Sequence, residues 1–135
     1  MAIEFLDSNV LVYAFTTDPR AEAAQALLQR GCAVSVQALN EFANVARRKL
    51  HLSWSEVREA LTAIRVLCAA VTGVDDKTHD TALDIAERYG FAVFDALMIA
   101  AALQAGADTL WSEDMQNGMI VAGKLRIANP FQPAA

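Results

Sequence analysis

Short apolar runs of strand length alternate along this chain with longer segments in which apolar residues recur every three or four positions. That alternation restricts the possible folds more than any other feature. Ile3–Leu6, Cys32–Val36, Ala70–Val74, Asp108–Trp111 and Leu125–Ala128 are the expected strands. Helical spacing begins at Val10 after the first of them. A second helix is expected at Asp18-Pro19, with Asp18 as N-cap and Pro19 at the first helical position, and it stops at Gly31. A third carries Leu39, Phe42, Ala43 and Ala46 and runs to about Lys49. Ser53 and Glu56 have the spacing of a capping box, followed by the stripe Val57, Leu61, Ile64 and Cys68. A fifth helix has Thr78, Ala82, Ile85, Ala86 and Tyr89 on its inner face, with Gly90 as its stop. The sixth follows Phe94-Asp95 and is apolar on every side from Ala96 to Leu103, so it belongs between other elements. Strands separated by helices form βαβ units with right-handed crossovers, which makes this an α/β fold with a mostly parallel sheet. No repeat or linker interrupts the pattern, and 135 residues are expected to form one domain, 1–135.

In such sheets ligands bind beyond the carboxyl ends of the strands. Asp7 stands where the first strand stops, and Asp114 lies just past the end of the fourth. Asp95 opens the apolar helix, and Glu41 sits beside the core-facing Phe42. Taken singly, Asp7 and Asp95 also read as helix N-caps, Glu41 as a solvated helix residue and Asp114 as a turn residue. Taken together, four acids at one edge would repel one another and raise one another's pKa unless a cation sat among them. A hard divalent ion, Mg²⁺ or Mn²⁺, suits carboxylate and water ligation. An ion held this way activates water for attack on a phosphodiester. Other nucleophiles do not compete: Ser8 and Ser112 have no histidine nearby in sequence, His51 and His79 fall in expected surface segments, and there is no Gly-rich phosphate loop.

Composition narrows the partners. The net charge of −5 argues against a simple basic nucleic-acid-binding module, although a bound cation reverses the field of an acidic pocket. The apolar fraction of 55% implies a well-buried core, with apolar surface left for a partner. No apolar run reaches the roughly 18–20 residues of a membrane span, and the N-terminus lacks the pattern of a signal peptide. Cys32 and Cys68 have no Cys-x-x-Cys spacing and are expected to be free, buried thiols, which points to a reducing, cytoplasmic setting.

Five segments, in order, carry a family resemblance: Phe5-Leu6-Asp7-Ser8-Asn9-Val10-Leu11, Val36-Gln37-Ala38-Leu39-Asn40-Glu41-Phe42, Phe94-Asp95-Ala96-Leu97-Met98-Ile99-Ala100-Ala101-Ala102, Leu110-Trp111-Ser112-Glu113-Asp114 and Ile127-Ala128-Asn129-Pro130-Phe131. With these the chain resembles the PIN-domain ribonucleases over nearly its whole length, and in particular the VapC-type toxins of toxin–antitoxin modules. The resemblance implies a three-layer α/β/α sandwich, metal-dependent endoribonuclease activity, a cognate antitoxin that covers or distorts the site, and a toxin homodimer. It also implies that Asp7, Glu41, Asp95 and Asp114 form the acidic quartet, with Asp7 and Asp95 as primary Mg²⁺ (or Mn²⁺) ligands. Ser8 and Ser112 match small hydroxyl positions; Ser112 stands where Thr is more usual. Glu113 leaves open which of two adjacent acids points inward, and spacing favours Asp114.

An RNA path into an acidic site needs cations. Arg47, Arg48 and Lys49 end the Glu41 helix, and Arg48 lies seven residues after Glu41, on nearly the same face. These are candidate phosphate contacts, and also favourable charges at a helix C-terminus. Leu27, Leu28, Trp54 and Leu67 are candidates for an antitoxin groove or a dimer interface, or else for ordinary core. Two other functions fit a sheet of this kind: an aspartate-based phosphotransfer domain, which would want a second acid where Asn9 stands, and a catalytically silent binding module.

Overall fold

The computed structural model describes residues 2–132, so the ends of the expected 1–135 domain lie outside the described residues. The strands are β1 (Glu4–Leu6), β2 (Ala33–Ser35), β3 (Ala70–Thr72), β4 (Thr109–Trp111), β5 (Ile120–Val121) and β6 (Leu125–Ala128). They form one sheet in the order β3-β2-β1-β4-β6-β5. Every pairing is parallel except β5 with β6. Phe5 is in register with Ala33 on one side and Leu110 on the other, and Leu110 with Ile127 beyond it. The helices are α1 (Ser8–Tyr13), α2 (Ala21–Gln29), α3 (Val36–Arg48), α4 (Trp54–Leu67), α5 (Asp76–Tyr89) and α6 (Val93–Gln104).

The strand order explains the layers. From β1 the chain steps outward to β2 and β3, then returns across the sheet to β4 on the other side of β1. Right-handed crossovers taken in opposite directions deliver helices to opposite faces. Accordingly α1 to α4 pack among themselves, and α5 packs with α6. The direction of travel reverses between β1 and β4, which makes the carboxyl ends of those two strands the crevice of the fold.

Helix α6 is buried as its sequence demands: Ala96, Met98, Ile99, Ala100, Ala101 and Ala102 are all inaccessible. The capping box at Ser53 and Glu56 is formed, and Gly90 ends α5 in the left-handed region at φ 78°. Cys32 and Cys68 are free, and burial pushes their thiols up to about 12 and about 11, which keeps both protonated. At the amino-terminal edge, Glu4 accepts hydrogen bonds from Arg30 at 2.8 Å and from the Trp111 indole at 3.1 Å, tying α2 and β4 to β1.

Several boundaries differ from expectation. Helix α2 begins at Ala21, not at Pro19: the Asp18 carboxylate accepts from Arg20 N–H at 2.9 Å, a local turn that uses Asp18 up before the helix starts. The second strand stops at Ser35, because its hydroxyl accepts from Ala38 N–H at 3.1 Å and starts α3 at Val36, ahead of Leu39. Between β4 and β6, where no strand was expected, the chain forms β5, which pairs back on β6. Asp95 is not an N-cap; Ala92 is, and Asp95 lies within the first turn of α6. Leu27 and Leu28 are core residues, whereas Trp54 and Leu67 are exposed.

Ile99, fully buried in α6, is the natural probe of this packing. Ile99→Ala should cost about 2–5 kcal/mol in a denaturant titration with an unchanged slope. A cost below about 1 kcal/mol would mean that α6 is not packed as described.

Candidate functional site

The crevice between β1 and β4 is built from the two strand ends. Asp7 N–H donates to the Trp111 carbonyl at 3.0 Å, extending the β1–β4 pairing and fixing the Asp7 backbone. Asp7 is the N-cap of α1, its Oδ1 accepting from Ser8 N–H at 2.6 Å. Its Oδ2 accepts from the Ser112 hydroxyl at 2.7 Å and from Asn9 Nδ2 at 3.3 Å. The capping role and the site role therefore belong to the same carboxylate. Ser112, fully buried at the end of β4, also accepts from Asp114 N–H at 3.3 Å, so one hydroxyl links both strand-end acids.

Burial pushes the Asp7 carboxyl up to about 6. The Ser112 hydroxyl and Ser8 N–H pull it down, and the charges of Glu41 and Asp95 add to the rise. Asp95 is also raised, first by burial and then by Asp114 and Glu41. Glu41 is thus felt at both Asp7 and Asp95, and Asp114 at Asp95. None of the four makes a salt bridge among the described residues; Arg88, the nearest cation to Asp95 in sequence, lies over the Tyr89 ring. Gln37 Nε2 donates to Glu41 at 3.0 Å and to the Phe94 carbonyl at 3.1 Å, which ties α3 to the start of α6.

The donor set is all oxygen, and its partners are hydroxyls and amides, as a hard divalent ion requires. Among the described residues, no three His, Cys, Asp or Glu side chains stand close enough together to close on one ion. A site sharing three of these carboxylates therefore needs side-chain rotation.

Glu113 and Asp114 diverge. Glu113 accepts from the Tyr13 hydroxyl at 2.8 Å and lies 3.4 Å from Arg20 Nε, outside the acid cluster. Asp114 accepts from Asn9 Nδ2 at 3.2 Å, on the Asp7 side. Asn9 was not among the sequence candidates, although its place two residues after a strand-end Asp was the available signal. Tyr13, one helical turn further on, offered no signal separable from core spacing.

A cavity of about 420 Å³ opens beside Asp114, lined among others by Ser8, Asn9, Tyr13, Lys49 and Glu113. Of the three basic candidates, Lys49 lines this cavity. Arg48 lies on the adjoining surface with Asn44 and Val45. Arg47 turns away, its guanidinium 4.4 Å from the centre of the Trp54 ring and bonded to the Leu52 carbonyl. His51 and His79 are exposed and take no part.

The sequence pattern of the PIN domain matches residues 5–116, a span that holds all four acids together with Ser8, Asn9 and Ser112. The chain belongs to the PIN domain family. Among solved structures it is similar to VapC20 of Mycobacterium tuberculosis, a toxin that cleaves the sarcin–ricin loop, with a TM-score of 0.66 and 19% identity over 82% of this chain and 91% of that one. A toxin–antitoxin complex from Klebsiella pneumoniae gives a TM-score of 0.71 and 17% identity over 96% and 99% of the two chains. VapBC2 of Rickettsia felis, bound to a fragment of its promoter DNA, gives 0.68 and 20% over 94% and 98%. At these identities the likeness is one of fold: a PIN-type α/β sheet with helices on both faces. No curated protein sequence matches the chain closely.

The raised Asp7 fixes the sign of a pH effect. A carboxyl whose folded pKa, about 6, exceeds its ordinary value of 3.8 holds its proton more tightly in the native state. The metal-free protein therefore loses stability as pH rises through that window. Asp7→Asn should remove the loss, gaining roughly 2–3 kcal/mol at pH 7.5 and little at pH 4 in metal-free denaturant titrations. An equal effect at both pH values would contradict a raised Asp7.

Proposed function

We propose that this PIN domain is a divalent-metal-dependent endoribonuclease, the toxin of a toxin–antitoxin pair, acting as a single nuclease domain over residues 1–135. The observation that carries this reading is the buried Asp7, desolvated at the switch point of the sheet and pushed further up by Glu41 and Asp95, with no cation among the described residues paired to any of them. Such a cluster is costly in an apo protein and becomes favourable around a positive ion. Asp7 and Asp95 would be the inner ligands, with Glu41 and Asp114 completing the set. Mg²⁺ or Mn²⁺ bound there supplies Lewis-acid stabilisation of phosphate charge and activates water for hydrolysis.

The chain's own residues do the rest. Ser8 N–H and the Ser112 hydroxyl fix the two oxygens of Asp7, limiting how far it moves when loaded. Lys49 lines the cavity that also holds Asp114, with Arg48 on the adjoining surface, and both would contact RNA phosphates there, a positive rim on an acidic protein. Arg47 is committed to Trp54 and makes a weaker candidate. The same proposal includes a homodimer and an antitoxin that covers the site. Exposed Phe15, Trp54, Val66 and Leu67 supply apolar surface for such a partner. Among the described residues no helix is long and apolar enough to cross a membrane, and the free thiols suit a cytoplasmic setting. A silent binding module would keep Asp7 as the cap of α1 but would gain nothing from Glu41 and Asp95 set against it.

RNA incubated with the protein and Mg²⁺ should be cut internally, and EDTA should stop it. Asp7→Asn and Asp95→Asn should each fall to the EDTA level, and Ser112→Ala by roughly 10–100-fold. Cleavage that survives the chelator and both Asp substitutions overturns the metal reading.

The basic rim has a separate test. Lys49→Ala or Arg48→Ala should weaken binding across RNA sequences and lower the slope of log K against log salt by about 1 each. Binding unchanged at every salt concentration removes these residues from the RNA path.

A further inference from the structure

Asn9 is the side chain on which the two strand ends meet. Its Nδ2 lies 3.3 Å from Asp7 Oδ2, 3.2 Å from Asp114 Oδ2 and 3.5 Å from Ser112 Oγ. An amide turned the other way would set its oxygen against two carboxylates. The opposite end is held by Glu113, whose backbone N–H donates to Asn9 Oδ1 at 3.2 Å. Only an acceptor satisfies that N–H, so the Glu113 peptide chooses which end of the amide faces the acids.

The Glu113 peptide is pinned in turn by its own side chain. The Tyr13 hydroxyl donates to Glu113 Oε1 at 2.8 Å, and Arg20 Nε lies 3.4 Å from Oε2. Arg20 also donates to the Tyr13 hydroxyl, and its guanidinium sits 4.8 Å from the ring centre. Phe131 packs edge-on against the same ring at 5.1 Å. This brace also keeps a further carboxylate turned away from the acid cluster.

We propose that Tyr13 and Arg20 are positioning residues which, through Glu113, aim the Asn9 amide at Asp7 and Asp114 and so set the affinity of the site for a divalent cation. The link to the cation rests on the metal-nuclease reading above; the aiming of the amide does not. With the amide in place, two repelling carboxylates stay converged before any ion arrives, and less reorganisation is left for binding. Without the brace, the amide is free to turn, the exposed Asp114 loses its tether, and Glu113 is free to swing.

The test uses the full chain without RNA, with Mn²⁺ alone as the probe. Tyr13→Phe keeps the ring against Phe131 and under Arg20 but removes the hydroxyl. By calorimetry it should weaken Mn²⁺ binding by about 10-fold, the lower end of what loss of an outer partner costs. Asn9→Ala should weaken it at least as much. The double variant should bind no worse than Asn9→Ala alone, because both changes act through one amide. Arg20→Gln, on an exposed side chain, should shift affinity in the same direction as Tyr13→Phe and guards against a folding defect in the latter. Independent effects that multiply, or Mn²⁺ affinity unchanged in both brace variants, overturn the proposal. In metal-free protein, the Asn9 side-chain NH₂ resonances should be protected from water exchange in the wild type and lose that protection in Tyr13→Phe. If the wild type takes up no Mn²⁺ while these resonances still respond, the metal reading falls and the aiming of Asn9 stands. If they do not respond, the brace is overturned whatever the metal does.

Discussion

A carboxylate taken out of water with no counter-charge among the described residues is the interaction on which this structure turns. Asp7 is placed there by topology: β1 is central, β4 lies beside it, and the chain reverses its direction of travel between them. No surface rearrangement relieves the cost, because the Asp7 backbone is paired to Trp111 and its side chain caps α1. The protein offsets part of the penalty with short hydrogen bonds from Ser8 N–H and the Ser112 hydroxyl. The remainder shows as a carboxyl raised to about 6. A site left unfavourable in this way favours binding of a positive charge.

The other acids reach the same place by different routes. Asp95 is carried in the first turn of α6, a helix so apolar that it must lie within the fold. A helix N-terminus is also a favourable place for negative charge. Glu41 arrives on α3 and is tied to α6 through Gln37. Asp114 comes last, on a turn after β4, and is held by Asn9 rather than by packing. The candidates thus run from the buried Asp7 to the exposed Asp114.

Much of this was legible in the sequence. The alternating strands and helices, the capping box at Ser53, the buried helix and the final strand Leu125–Ala128 all follow from local pattern, and the structure contains them. Errors gathered where a polar side chain chose between two local hydrogen bonds. Asp18 made a turn instead of a cap, and Ser35 began a helix where the apolar run read as strand. The short strand β5 was hidden because its residues pair only with β6, and pairing is not a property of the segment alone.

Sequence alone determined the fold class and the order of the elements, because periodicity, caps and strand-end positions are written in neighbouring residues; it named the four acids as candidates. Tertiary structure decided which way each side chain faces. Glu113 and Asp114 are adjacent and chemically alike, yet Tyr13 and Arg20 hold one of them while Asn9 holds the other on the Asp7 side. Of three consecutive cations, Lys49 meets the cavity and Arg47 lies on Trp54. Those outcomes depend on partners about a hundred residues away for the acids and on the next helix for the arginine. Contacts of that kind exist only once the sheet has brought the strand ends together.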